Sequence, residues 1–183
     1  VAVRRWLMDT LPSPRVLDLY CGASGRMWQE VWRDAEAYLG VDKEQPHNHA
    51  TTLRMSAERA VQSLAIDEYN VYDLDCYVSP WLVARRILHR RADGRFGLAF
   101  TCGEERGMKD QSNEIVRVSI GARGLSDYRL LTRYADLIVH LMVRSLTEIA
   151  GIKLVSGVVA KRVRQNTMFY GGLLLDKLPR SIV

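Results

Sequence analysis

The chain has little cysteine, little phenylalanine and no long apolar run. Its three cysteines, Cys21, Cys76 and Cys102, are an odd number without a CxxC pair. That spacing argues against a disulfide framework and a structural zinc site, and it points to a reducing, cytoplasmic setting. No apolar stretch approaches the ~20 residues needed to cross a bilayer, so no membrane partner is expected. No charged-then-apolar leader is read either. Histidine is also sparse. His47 and His49 flank Asn48 in a polar loop, where contact with a ligand is one reading and solvation the expected one, and His140 falls near the apolar stripe of a helix. No metal site is expected. Repeats, low-complexity tracts and linkers are missing. Residues 1–183 therefore read as one domain, long enough to bury a real core.

What is present is an ordinary globular composition, 48% hydrophobic and 26% charged. The net charge is +5. Basic residues cluster at Arg85, Arg86, His89, Arg90, Arg91 and Arg95, and again at Lys161, Arg162 and Arg164. Each cluster suits a phosphate track or a solvated face. The oligomeric state is left open by the sequence.

Residues 3–10 read as a short helix closed by Pro12 and Pro14. Apolar runs predict strands at 15–20, 37–41, 51–55, 69–74 and 96–101. Ser24 is placed to cap a helix reaching about residue 35, and Ser56 a helix through Ala60, Val61 and Leu64. Pro80 sits near the first turn of a helix running to about residue 89. Residues 103–126 are charged and glycine-rich, and read as the longest irregular segment. Residues 134–149 carry an amphipathic helical pattern. Residues 152–163 and 167–175 alternate as a hairpin joined by Arg164, Gln165 and Asn166. Strands alternating with helices, then an antiparallel pair, predict an α/β three-layer fold. Its sheet is seven-stranded and mostly parallel, with a C-terminal antiparallel hairpin strand at one edge.

Ligands of such sheets bind beyond the carboxyl ends of the strands. Asp18, Asp42, Ser56, Asp75 and Cys102 all fall near such ends. The segment Asp18-Leu19-Tyr20-Cys21-Gly22-Ala23-Ser24-Gly25 follows the first strand. Its glycines allow a tight turn and close approach of a ligand to backbone. The helix N-terminus after it offers N–H groups to an anionic group. Asp42 ends the second strand, where a ribose hydroxyl pair is usually held.

Together these segments resemble the cofactor half of class I S-adenosylmethionine-dependent methyltransferases, with their Rossmann-like sheet. The turn at Cys21 to Gly25 is similar to the first motif of cytosine-C5 methyltransferases. The resemblance implies S-adenosylmethionine as cofactor, contacted by Asp18, Tyr20, Gly22, Ser24, Gly25, Asp42, Lys43, Ser56, Ala57 and Asp75. The segment Asp75-Cys76-Tyr77-Val78-Ser79-Pro80-Trp81 resembles the D-P-[FY]-G-S-P motif of the tRNA (guanine-N2)-dimethyltransferase family. Cys76 replaces its proline and Val78 its glycine. This second resemblance implies Asp75 as acceptor of a target amine and Tyr77 as the aromatic on the base. Ser79, Pro80, Trp81, Arg90 and Arg91 are then expected to contact substrate. The implied partner is nucleic acid, RNA more than DNA, methylated on an exocyclic amine. Two alternatives stand beside it: a methyltransferase of the same fold acting on a small molecule or protein, and a catalytically silent cofactor-binding protein. Cys76 as a nucleophile is the weaker reading, a buried small residue the stronger.

Overall fold

A computed structural model describes residues 1–76, 79–103, 135–149, 151–162 and 168–179. Its elements are α1 (Ala2–Thr10), β1 (Arg15–Asp18), α2 (Arg26–Glu30), β2 (Ala37–Asp42), β3 (Thr52–Arg54), α3 (Ala57–Ser63), β4 (Val71–Leu74), α4 (Trp81–Arg90), β5 (Gly94–Gly103), α5 (Ala135–Thr147), β6 (Ile152–Arg162) and β7 (Met168–Lys177). The strands form one seven-stranded sheet in the order β3-β2-β1-β4-β5-β7-β6. β1 to β5 are mutually parallel, and β7 runs antiparallel between β5 and β6. The antiparallel strand is therefore one place in from the edge, and β6 is the edge. Gly103 ends β5, and the rest of the expected irregular segment, 104–126, lies outside the described residues, as do the residues joining β6 to β7.

Alternation along the strands sends side chains into two different cores. Leu17, Leu19, Val41, Tyr72, Leu74, Phe96, Leu98 and Phe100 pack with α3, α4 and α5. Val16, Val71 and Ala99 pack on the opposite face, with Leu7 of α1, Leu11 just after it and Trp32. Glycines set how closely α1 approaches. A Cβ at Gly97 would stand 2.8 Å from Leu7 Cδ2, and one at Gly172 would stand 2.6 Å from Val3 Cγ1.

The helix after the first turn departs from expectation. It starts at Arg26 and stops at Glu30, and its N-cap is Gly25 at φ +56, not Ser24. Ser24 Oγ accepts from the Arg26 amide at 3.4 Å instead. The chain then tightens into a 3₁₀ turn, Trp32–Asp34. That departure lets the fully buried Trp32 indole donate to Asp73 at 2.9 Å. Ser56 does cap α3, accepting from the Arg59 amide at 3.2 Å.

Candidate functional site

In register, Gly40, Asp18, Asp73 and Ala99 form one row across four adjacent parallel strands. Asp42 and Asp75 stand two positions beyond that row on β2 and after β4. The Gly22–Gly25 turn rises from β1 between them. Gly22 and Gly25 have φ of +60 and +56, where side chains with a Cβ are strained. A Cβ at Gly22 would meet nothing within 4 Å. The backbone there faces open space.

Asp18 is 1% exposed. Its Oδ1 accepts the Tyr20 amide at 3.3 Å and its Oδ2 accepts the Tyr38 hydroxyl at 3.0 Å. Burial, then the charge of Asp73, holds this carboxyl well above the ordinary range. Its carboxylate is engaged in organising the turn. Tyr20 is half-buried against the α3 side, and burial raises its phenol.

Asp42 Oδ1 accepts the Glu44 and Gln45 amides at 2.8 and 3.1 Å, which shapes the start of the next loop. No hydrogen bond among the described residues engages its Oδ2. Lys43 is exposed and pairs with Glu44 at 3.6 Å. Ser56 is engaged as a helix cap, and Ala57 is buried in the core.

The sequence reading missed the partner of the β4 acids. Asp73 is fully buried, and Arg4 of α1 is 2% exposed beside it. Arg4 Nε and Nη2 donate to the two Asp73 oxygens at 2.6 and 2.7 Å. Nη2 also reaches Thr101 Oγ1 at 3.3 Å and Asp75 Oδ1 at 3.4 Å. Burial disfavours the Arg4 charge, but the Asp73 carboxylate outweighs it and leaves the guanidinium above its ordinary value. Burial pushes Asp73 up, and Arg4 and Trp32 pull it back. Asp75 keeps 32% of its side chain exposed. One signal was available: an acid inside a buried strand requires a partner, and Arg4 interrupts the apolar face of Val3 and Leu7.

Three expectations for substrate contact are corrected. Trp81 is 2% exposed and packs on Phe100, with ring centroids 5.0 Å apart, so it is core. Arg90 and Arg91 stand at the end of α4 beside the start of β5, at the amino edge of the sheet, because α4 runs away from the site. Arg91 is 8% exposed, and its Nη1 donates to the Asp67 and Tyr69 carbonyls and to Tyr72 Oη. Arg90 Nη1 donates to the Val61 carbonyl. Ser79 and Pro80 remain near the site, with Pro80 at the N-cap of α4. Tyr77 lies outside the described residues. Cys76 is 6% exposed, and its thiol lies 3.8 Å from the Thr101 carbonyl.

Among the described residues, no group of three or more His, Cys, Asp or Glu could hold a metal. No helix among them is long and apolar enough to cross a membrane.

No protein-family model matches the chain, and no curated protein matches it. Solved structures do. The chain is similar over 96% of its length to 74% of TYW2 from M. jannaschii, solved in complex with AdoMet, at 10% identity and TM-score 0.52. It is similar over 98% of its length to 93% of the N-methyltransferase NodS from Bradyrhizobium japonicum, at 9% identity and TM-score 0.54. It is also similar over 97% of its length to 88% of a candidate hemolysin from Lactococcus lactis, at 11% identity and TM-score 0.60. At these identities the likeness is one of fold: a three-layer α/β sheet, mostly parallel, with an antiparallel strand in its C-terminal hairpin.

Proposed function

We propose that the chain is an S-adenosylmethionine-dependent methyltransferase acting on an amine. The observation that carries this reading is the grouping at one sheet edge of the Gly22–Gly25 turn, Asp42 and Asp75. The fit to the cofactor rests on three features. The backbone at Gly22 faces open space. Asp42 Oδ2 has no partner among the described residues, so it can accept ribose hydroxyls. Asp18 and Asp73 are buried beside one buried arginine, Arg4, with Asp75 partly exposed next to it, and such a cluster of carboxyl oxygens suits a sulfonium or ammonium group. Similar folds in TYW2 with AdoMet and in NodS, an N-methyltransferase, support the same reading.

When bound, the cofactor supplies an electrophilic methyl group. The residues of this chain then have two tasks. The turn and Asp42 hold and orient the cofactor. Asp75, with one oxygen tied toward Arg4 and part of its carboxylate exposed, accepts a hydrogen bond from the target N–H and takes up the proton that leaves. Arg4 positions that carboxylate. A cysteine nucleophile is not required, and Cys76 is buried.

The target proposed first is an exocyclic amine of a nucleic-acid base, in RNA more than DNA, as the Asp75 to Trp81 motif suggests. The second reading is a small-molecule or protein amine. It is favoured by the position of Arg90 and the burial of Arg91, which take the densest basic cluster away from the site. The test is transfer of labelled methyl from S-adenosylmethionine into RNA, DNA, protein and metabolite pools. Label in a base amine, lowered on the order of 100-fold by Asp75→Ala and retained by Cys76→Ala, is the expected result. Label confined to protein or metabolites replaces the first target with the second. A Cys76→Ala variant that is dead, with covalent trapping on 5-fluorocytosine, overturns amine chemistry.

A further inference from the structure

The loop between β2 and β3 closes over the glycine turn. A Cβ at Gly25 would stand 2.7 Å from His47 Cγ and 2.8 Å from His49 Cδ2. His47 is 2% exposed. Its Nδ1 accepts the His49 amide N–H at 3.1 Å. Its Nε2 lies 3.0 Å from the Tyr38 hydroxyl, which donates to Asp18 Oδ2 at 3.0 Å. The His49 contact sets the tautomer of the neutral ring. Nδ1 accepts and is bare, so the ring proton is on Nε2 and is donated to Tyr38. The single Tyr38 proton then goes to Asp18. Around this chain, His49 stacks on Trp28 at 5.9 Å, and Thr52 Oγ1 donates to the His47 carbonyl at 2.9 Å.

We propose that His47 is a positioning residue. As a neutral Nε2–H imidazole it latches the loop that follows Asp42 onto the Gly22–Gly25 turn, and its protonation opens the latch. The inference rests on the reading of those two segments as a cofactor cradle. A proton on Nδ1 would face the His49 N–H, donor against donor, and the ring's bond to its own loop would be lost.

The groups around the ring set the direction. Tyr38 faces it from β2, and Asp18 acts from β1 through that hydroxyl. The Cys21 thiol lies against the His47 backbone and is pushed up to about 12, chiefly by burial, so it stays neutral here. His49 approaches from the same loop, Trp28 of α2 lies against the ring, and Gln29 of α2 reaches His49. Burial first, and His49 second, hold the imidazole below its ordinary 6.5. A base whose value is lowered in the closed form favours closure above its ordinary value. Closure weakens as pH falls through the lowered value.

Long-range imidazole nitrogen spectra of the full chain between pH 8 and 5 test the latch without any substitution. The expected result is an Nε2–H tautomer for His47, with the Gly25 and His49 amide signals moving at the same midpoint as the ring, below 6.5. An Nδ1–H tautomer, or a ring that titrates while the Gly25 amide stays fixed, overturns the proposal. In parallel, S-adenosylmethionine affinity should weaken by about 3- to 10-fold from pH 7.5 to 5.5, the scale of one linked proton. His47→Gln should flatten that dependence; a dependence unchanged in the variant overturns the latch. No binding at any pH sinks the cofactor reading alone, because the spectra still decide the latch.

Discussion

Two buried arginines, Arg4 and Arg91, stand at opposite edges of the same sheet and do different work. At the carboxyl edge, Arg4 is held by carboxylates: two bonds to Asp73 and an approach to Asp75. At the amino edge, Arg91 donates mainly to carbonyl oxygens, approaches one carboxylate, the exposed Asp67, at 3.5 Å, and lies over the Phe96 and Tyr72 rings at 5.4 and 5.9 Å. Lys177 joins it there, with Nζ donating to the Leu88, His89 and Arg91 carbonyls at the end of α4. A cation at a helix C-terminus meets unpaired carbonyls and the negative end of the helix dipole. The amino edge is thus fastened by cations. The carboxyl edge carries more buried acid than base, and there a positive ligand would be stabilised. Basic residues that look alike in the sequence are therefore structural at one edge and part of the site's electrostatics at the other.

Removing Arg4 is expected to have the largest effect. Arg4→Met leaves Asp73 charged and buried without its partner, and should cost about 3–5 kcal/mol of stability. Denaturant unfolding of Arg4→Met, Asp73→Leu and the double variant checks this, and the double variant should recover much of the loss. Equal losses that simply add would show that the two edges do not differ in this way. Lys177→Met is the matching test at the amino edge. It leaves α4 carbonyls without their cation and should cost about 1–3 kcal/mol, while S-adenosylmethionine affinity measured by calorimetry stays within twofold.

A subtler test uses pH. Asp18 is held above its unfolded value of 3.8, chiefly by burial. Between 3.8 and that raised value the folded chain binds more protons than the unfolded one. This group's contribution to stability therefore falls as pH rises through the window. Asp18→Asn should remove that slope, seen as the difference between the two unfolding curves from pH 4 upward. An unchanged slope would mean that Asp18 is not the desolvated acid of this edge.

The parallel sheet is legible in the sequence because β1, β4 and β5 are buried on both faces and read as apolar runs bounded by Gly, Pro and acids. The glycine turn, Asp42 and Asp75 are legible for the same reason: strand ends can be counted. Three things are not. Asp73 sits one strand period before Asp75 and depends on Arg4, 69 residues away; each stands out in its own apolar segment, but nothing local pairs one with the other. His47 looks like a solvated loop histidine until Tyr38 and Gly25 fold against it. The Arg85 to Arg95 cluster is dense along the chain, but α4 carries its end to the amino edge, and one-dimensional density holds no information on direction.

On the function proposed above, the carboxyl edge binds S-adenosylmethionine through the glycine turn and Asp42. Isothermal titration of the full chain with S-adenosylmethionine, beside Asp42→Ala, tests it most directly. The expected result is one saturable site per chain, weakened by roughly 1.5–3 kcal/mol in the variant, the range for hydrogen bonds involving a charged group. No heat of binding to the intact chain, or binding undiminished by Asp42→Ala, would contradict it.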